Sequence, residues 1–308
     1  MQNPLDRLEY EVHEPIDWDT PLESFVPLNS FMAGLRFDEG ALPETYYFGL
    51  IDACSGGLGG AGGLANGIPM DPVNEGSASQ RVSSGLSLDP DWSSETFVHE
   101  VGHSQGRRHV TCNGMEGGPN PQYPYEGGDV GEWGFGVVDF GLRHPTVSKD
   151  YMTYCHPTWV GTWGWNRVYP TISGLSEWDE GFPGGAVKPE DGGGTQAAPH
   201  RDPYGGSLLM GSIEPNGTEH WITVPGTLPA GATSDSVHIE LSAKGKVLAD
   251  VPAHVQSMQD GDGGTLILAP LPADWSADTR VTLVDGEARR VVPRGSIGEH
   301  HRNRVIRR

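Results

Sequence analysis

Apolar positions along this chain keep two different rhythms, and the change between them divides it. In the first part the rhythm is mixed. Residues 5–16 alternate loosely between apolar and polar side chains and predict a first strand. Leu22, Phe25, Val26, Phe31, Met32 and Leu35 fall near helical spacing, with Pro27 disturbing the start, so residues 21–36 predict a helix with an irregular entry. Thr45 to Ile51 is an unbroken aromatic and β-branched run, the pattern of a strand at the centre of a sheet. Ala78 to Leu88 predicts another strand, stopped by Asp89-Pro90. A helix follows over about 93–105, with Ser93 or Ser94 as its cap, Glu95 in the first turn, and Phe97, Val98 and Val101 as core anchors. Trp159 to Tyr169 predicts a closing helix whose Trp163 and Trp165 belong to the core.

The second rhythm begins near residue 205. Ser207–Ile213, Trp221–Val224, Val237–Leu241, Thr265–Leu268 and Val281–Val284 are short apolar stretches divided by turn clusters such as Glu214-Pro215-Asn216-Gly217, which predicts a small all-β sandwich over 205–295. His220, His238 and His254 have no ligand spacing and read as surface or packing residues. The Gly-, Pro- and Asp-rich stretch 179–204 reads as a linker, and 296–308 as a basic, disordered tail. Residues 110–149 are rich in Gly and Pro but carry Tyr123, Tyr125, Trp133, Phe135 and Phe140, so they predict an ordered irregular segment.

Charge narrows the choice of partners. The formal net charge is −21 over 308 residues, with only Lys149, Lys188, Lys244 and Lys246 as lysines, which argues against nucleic acid as a partner. No apolar run is long enough to span a membrane. The start of the chain has no apolar signal-peptide core, so the chain reads as a fragment or processed form of a secreted, monomeric protein. The glycine-rich stretch Cys54–Gly63 lacks the G-K-[ST] of a phosphate loop and reads as a mobile loop over a cleft.

The chemistry is concentrated in His99-Glu100-Val101-Gly102-His103-Ser104-Gln105-Gly106-Arg107-Arg108-His109. On a helix, His99 and His103 lie on one face and can address one ion. Two imidazoles suit Zn²⁺, and a catalytic site needs a third ligand and one open position. Gly106 can take a positive φ and end the helix, which returns His109 as that ligand. Glu100 then stands beside the open position, able to accept a proton from a zinc-activated water. No EF-hand loop is present, so calcium is not indicated.

This H-E-x-x-H-x-x-G-x-x-H pattern, with the downstream Asp150-Tyr151-Met152-Thr153-Tyr154, resembles the metzincin clan of zinc endopeptidases over residues 1–178. The resemblance implies an α+β catalytic domain, a twisted mixed sheet with an active-site helix, preceding the β-sandwich. It makes Met152 the methionine of the turn under the metal, and gives Tyr154 the role of oxyanion donor. It makes Val82 to Leu86 an edge strand that pairs with extended substrate, and residues 110–149 a wall of the pocket. Val110 after the third histidine matches none of the best-known branches, so no branch is assigned. Cys112 follows His109 by three residues and Cys155 follows Met152 by three, so a Cys112–Cys155 disulfide is expected beside the site, against the alternative of three buried thiols; Cys54 is then left over. The implied function is hydrolysis of peptide bonds in extracellular proteins with one Zn²⁺. The competing readings are a non-catalytic adhesin or glycan-binding protein with a vestigial metal site, and a hydrolase of other substrates.

Overall fold

A computed structural model describes residues 10–18, 21–52, 58, 61–181, 206–234, 236–258, 260, 264–273, 275–276, 278–293 and 297. The tail apart from Ile297, Cys54, nearly all of the expected linker and part of the glycine-rich loop lie outside these residues. Of the expected first strand, the described part, residues 10–16, has no regular structure.

The first half is built from α1 (Val26–Asp38), β1 (Tyr47–Ile51), β2 (Gly63–Ala65), a 3₁₀ segment (Glu75–Gln80), β3 (Val82–Leu86) and α2 (Pro90–Ser104). The sheet order is β1-β3-β2, with β1 parallel and β2 antiparallel to β3. Two expectations are thereby reversed. The apolar run of β1 lies at an edge, and β3, expected as the substrate-pairing edge, lies in the middle. The reason is size. The Ser83-Ser84-Gly85 stretch of β3 lets helices close on the strand. Ser84 donates to Asn29 Oδ1 of α1 at 2.7 Å, and a Cβ on Gly85 would stand 2.9 Å from Thr96 Cγ2 of α2. A strand of small, hydrogen-bonded residues can be fully buried without an apolar run.

α2 starts earlier than the sequence suggests. Asp89, in extended conformation, is the cap: its carboxylate accepts from the N–H groups of Asp91 and Trp92, and Pro90 fits the first helical position. Ser93 instead accepts the Leu88 N–H at 3.0 Å. After α2 come two short ladders, β4 (Gly134–Phe135) with β5 (Leu142–Arg143) and β6 (Lys149–Asp150) with β7 (Thr158–Trp159), then α3 (Thr162–Gly181).

The second half has β8 (Ser207–Ile213), β9 (Glu219–Pro225), β10 (Val237–Ala243), β11 (Lys246–Pro252), β12 (His254–Ser257), β13 (Thr265–Leu271), β14 (Arg280–Asp285) and β15 (Ala288–Val291). They form two antiparallel sheets, β12-β13-β8-β9 and β11-β10-β14-β15. Strand alternation sends Leu209, Trp221, Ile267 and Ala269 into the core between the sheets. The alternate residues, Leu208, Met210, Ile222, Val224, Leu266 and Leu268, point the other way and share one core with Phe25, Val26, Phe31 and Met32 of the α1 region and with Val82 and Leu86 of β3. Six such side chains correspond to about 10 kcal/mol of gross apolar burial, so the sandwich is packed onto the first half as part of one core. Polar contacts fix the register of that packing. Gln256 accepts from Ile68 N–H at 3.1 Å and donates to Ile68 O at 3.0 Å, and Ser24 donates to Glu214 at 2.7 Å.

Candidate metal centre

The C-terminal end of α2 carries His99, Glu100 and His103, all buried. Gly106 takes φ +85 immediately past the helix, a left-handed conformation that suits glycine, and the chain returns with His109 fully buried. The turn is braced by Arg107, which the sequence reading passes over as a spacer. Its guanidinium lies 4.7 Å from the Trp163 ring and 5.4 Å from the Tyr151 ring, donates to Gly164 O at 2.9 Å, and faces Asp150 at 3.6 Å. Asp150 in turn accepts the Met152 N–H at 3.0 Å.

Every histidine of the motif is oriented by a main-chain carbonyl. His99 Nδ1 meets Tyr151 O at 2.9 Å, His103 Nδ1 meets Arg107 O at 2.7 Å, and His109 Nδ1 meets Gly117 O at 2.7 Å. A carbonyl only accepts, so each Nδ1 carries the proton and each Nε2 can offer a lone pair. These Nε2 atoms converge on one point. Those of His103 and His109 are 3.2 Å apart, and the His99 Nε2 is buried with no hydrogen-bond partner among the described residues. A tetrahedral ion with nitrogen ligands at about 2.0–2.1 Å would separate them by roughly 3.3–3.4 Å. The donor set, its spacing and the orphaned nitrogen therefore fit Zn²⁺.

Met152 is 0 % exposed and packs against α2 at Gly102; its carbonyl accepts the Val110 N–H at 2.9 Å, tying the turn to the segment after His109. A disulfide joins Cys112 to Cys155 across the same two segments. Cys112, Glu116 and Cys155 also lie close together, but sulfurs in a disulfide offer no thiolate to a metal. Glu116 serves the segment instead, accepting the Cys112 N–H at 3.1 Å.

Glu100 is 3 % exposed, and the Ala65 N–H of β2 donates to its carboxylate. Only glycine fits opposite: a Cβ on Gly63 would fall 2.7 Å from Glu100 Oε1. Glu100 Oε2 has no hydrogen-bond partner among the described residues. Burial, and then the charge of Asp260, push the Glu100 carboxyl well above the usual range, while the Ala65 N–H works the other way.

Asp260 is the residue that the sequence reading misses. It follows β12, is 7 % exposed, and enters the cluster from the sandwich. Its Oδ1 is 2.8 Å from His109 Nε2 and 3.7 Å from His99 Nε2, and its Oδ2 is 2.9 Å from His103 Nε2. Burial opposes its charge, but His103, and then the neighbouring His109 and His99, hold the carboxyl well below the usual range. Burial lowers His103. It also works against His109, where the hydrogen bond and charge of Asp260 outweigh it and hold that imidazole above its ordinary value. Tyr154 donates to Asp260 Oδ1 at 2.6 Å and lies 3.2 Å from His109 Nε2. Its phenol is pushed far upward by burial and then by Asp260.

The aromatic residues of 110–149 divide. Tyr123 donates to Asp129 O at 2.6 Å and packs against Trp163, whereas Trp133, Phe135 and Phe140 are exposed. His220, His238 and His254 are each engaged locally, with Glu214, Asp250 and Ala232 O. No helix among the described residues is long and apolar enough to cross a membrane. Compared with protein-family models, with curated proteins and with solved structures, the chain finds no match in any of the three.

Proposed function

We propose that this chain is a zinc-dependent endopeptidase that cleaves extracellular proteins or peptides, of metzincin type in its catalytic half. The observation that carries the reading is the convergence of three Nε2 lone pairs beside a buried carboxylate with one oxygen unpartnered among the described residues. His99, His103 and His109 would hold the ion. When bound, it supplies Lewis acidity to the scissile carbonyl and to the attacking water.

The chain's own groups do the rest. Glu100 accepts the water's proton and delivers it to the leaving amine. Its unpartnered Oε2 is the acceptor for that proton, and the Ala65 N–H keeps the carboxylate in place. Tyr154 can turn its hydroxyl to the developing oxyanion. β3 is enclosed by its neighbours, so it is not the strand that pairs with an extended substrate. A binding-only site would have no use for this buried base, which counts against the adhesin reading. The Cys112–Cys155 bond suits an oxidising, extracellular setting.

Glu100→Gln tests the reading. The variant should retain one zinc per chain and lose peptide-library cleavage by about 10²-fold or more. Cleavage at the wild-type rate would contradict the mechanism.

A further inference from the structure

We propose that Asp260 is a fourth protein ligand to the metal and that, through it, the sandwich holds the site shut. Its consequence for activity rests on the peptidase reading above; the ligation itself does not.

A catalytic zinc site keeps one position open, whereas a structural one is closed by four protein ligands. Here the ligand atoms of His99, His103, His109 and Asp260 all lie within 4.8 Å of one another. Asp260 approaches from the side that the three imidazoles leave free, with both oxygens in the cluster. The same carboxylate engages the Tyr154 hydroxyl at 2.6 Å. One side chain thus occupies both the place for the substrate carbonyl and the donor meant to stabilise it.

The approach of Asp260 is set by packing. Met258, two residues before it, and Leu266 and Leu268 of β13 after it are buried in the core shared with α1. On the other side, Gln256 is clamped to both main-chain atoms of Ile68. These anchors bracket Asp260 and deliver it to the histidines. An ionised carboxylate this buried is costly unless a cation or donors meet it, and an ion held by the three imidazoles would be that cation. Deleting the sandwich would expose Phe25, Phe31, Met32 and Val82 of the shared core, so the latch is tested by single substitutions in the full chain.

Cobalt(II)-loaded wild type, Asp260→Ala and Asp260→Asn should be compared by visible absorption with and without acetohydroxamate, alongside peptide-library cleavage by the zinc forms. Circular dichroism identifies properly folded variants, and Asp260→Asn, nearly the same shape, serves if the alanine variant misfolds. A latch predicts that hydroxamate leaves the wild-type spectrum unchanged and shifts that of the variants. It also predicts cleavage raised by about tenfold or more in the variants and abolished again by adding Glu100→Gln. A wild-type spectrum that responds to hydroxamate as the variants do overturns the latch, whatever the cleavage. Closed wild-type and open variant spectra with no cleavage by any form support the ligation and overturn the peptidase reading. Cleavage that depends on Glu100 but is no faster in the variants overturns the latch and leaves the peptidase reading standing.

Discussion

Arg107 carries more of the site than its place between two named motif residues suggests. It is buried, and its charge is balanced by Asp150, whose carboxyl is itself pushed upward by burial against the pull of Arg107. Removing one member of such a pair leaves the other uncompensated, at about 3–5 kcal/mol. Arg107→Met should therefore lower the unfolding free energy by about 3 kcal/mol in urea titrations, while a change below about 1 kcal/mol would mean that Asp150 is content without it. At this scale the sequence brings the candidate ligands together and is silent about their supports. His99, His103, His109 and Glu100 are legible because helix geometry and a glycine turn dictate their spacing. Arg107 and Glu116 act through contacts with Trp163, Gly164 and the Tyr154 N–H, far along the chain, which no local pattern encodes.

The element that positions the site is α2, and its fit against the methionine turn depends on Gly102. A Cβ there would meet Met152 Sδ at 2.6 Å and Tyr151 Cε2 at 2.8 Å. In an exposed helix, Gly→Ala stabilises by up to about 1 kcal/mol. In a tight core, overpacking costs about 1–3 kcal/mol. The second effect should win, so Gly102→Ala should melt at lower temperature than wild type and bind zinc more weakly; a higher melting temperature would show that the turn yields freely. The helix itself was readable from its pattern, although its cap was not: Asp89-Pro90 looked like the end of a strand and is the start of α2. The order of the sheet was not readable either. The apolar run of β1 suggested a centre, but β3 takes it because its serines and glycine admit two helices.

For the whole molecule, the two rhythms of the sequence correspond to two groups of elements, yet the packing joins them. The alternate face of β8, β9 and β13 lies against α1, so Leu266→Ala should cost about 2–5 kcal/mol. It should shift a single cooperative transition seen alike by tryptophan fluorescence and circular dichroism. Separate transitions would show two independently stable units. The disulfide closes a 43-residue separation, worth about 4 kcal/mol on the chain-entropy view. Reduction should therefore lower the denaturation midpoint. Asp260 belongs to this scale too. It is 151 residues from His109, in a glycine- and aspartate-rich sequence with no ligand spacing, and only the docking of one half on the other brings it to the histidines.

The proposed chemistry depends on one ion held between α2 and the return past Gly106. Diffraction from zinc-loaded crystals, with anomalous maps on both sides of the zinc edge, tests it most directly. A single strong peak is expected about 2.0–2.1 Å from the Nε2 atoms of His99, His103 and His109. Imidazoles splayed apart with no peak between them, after loading with excess zinc, would contradict it.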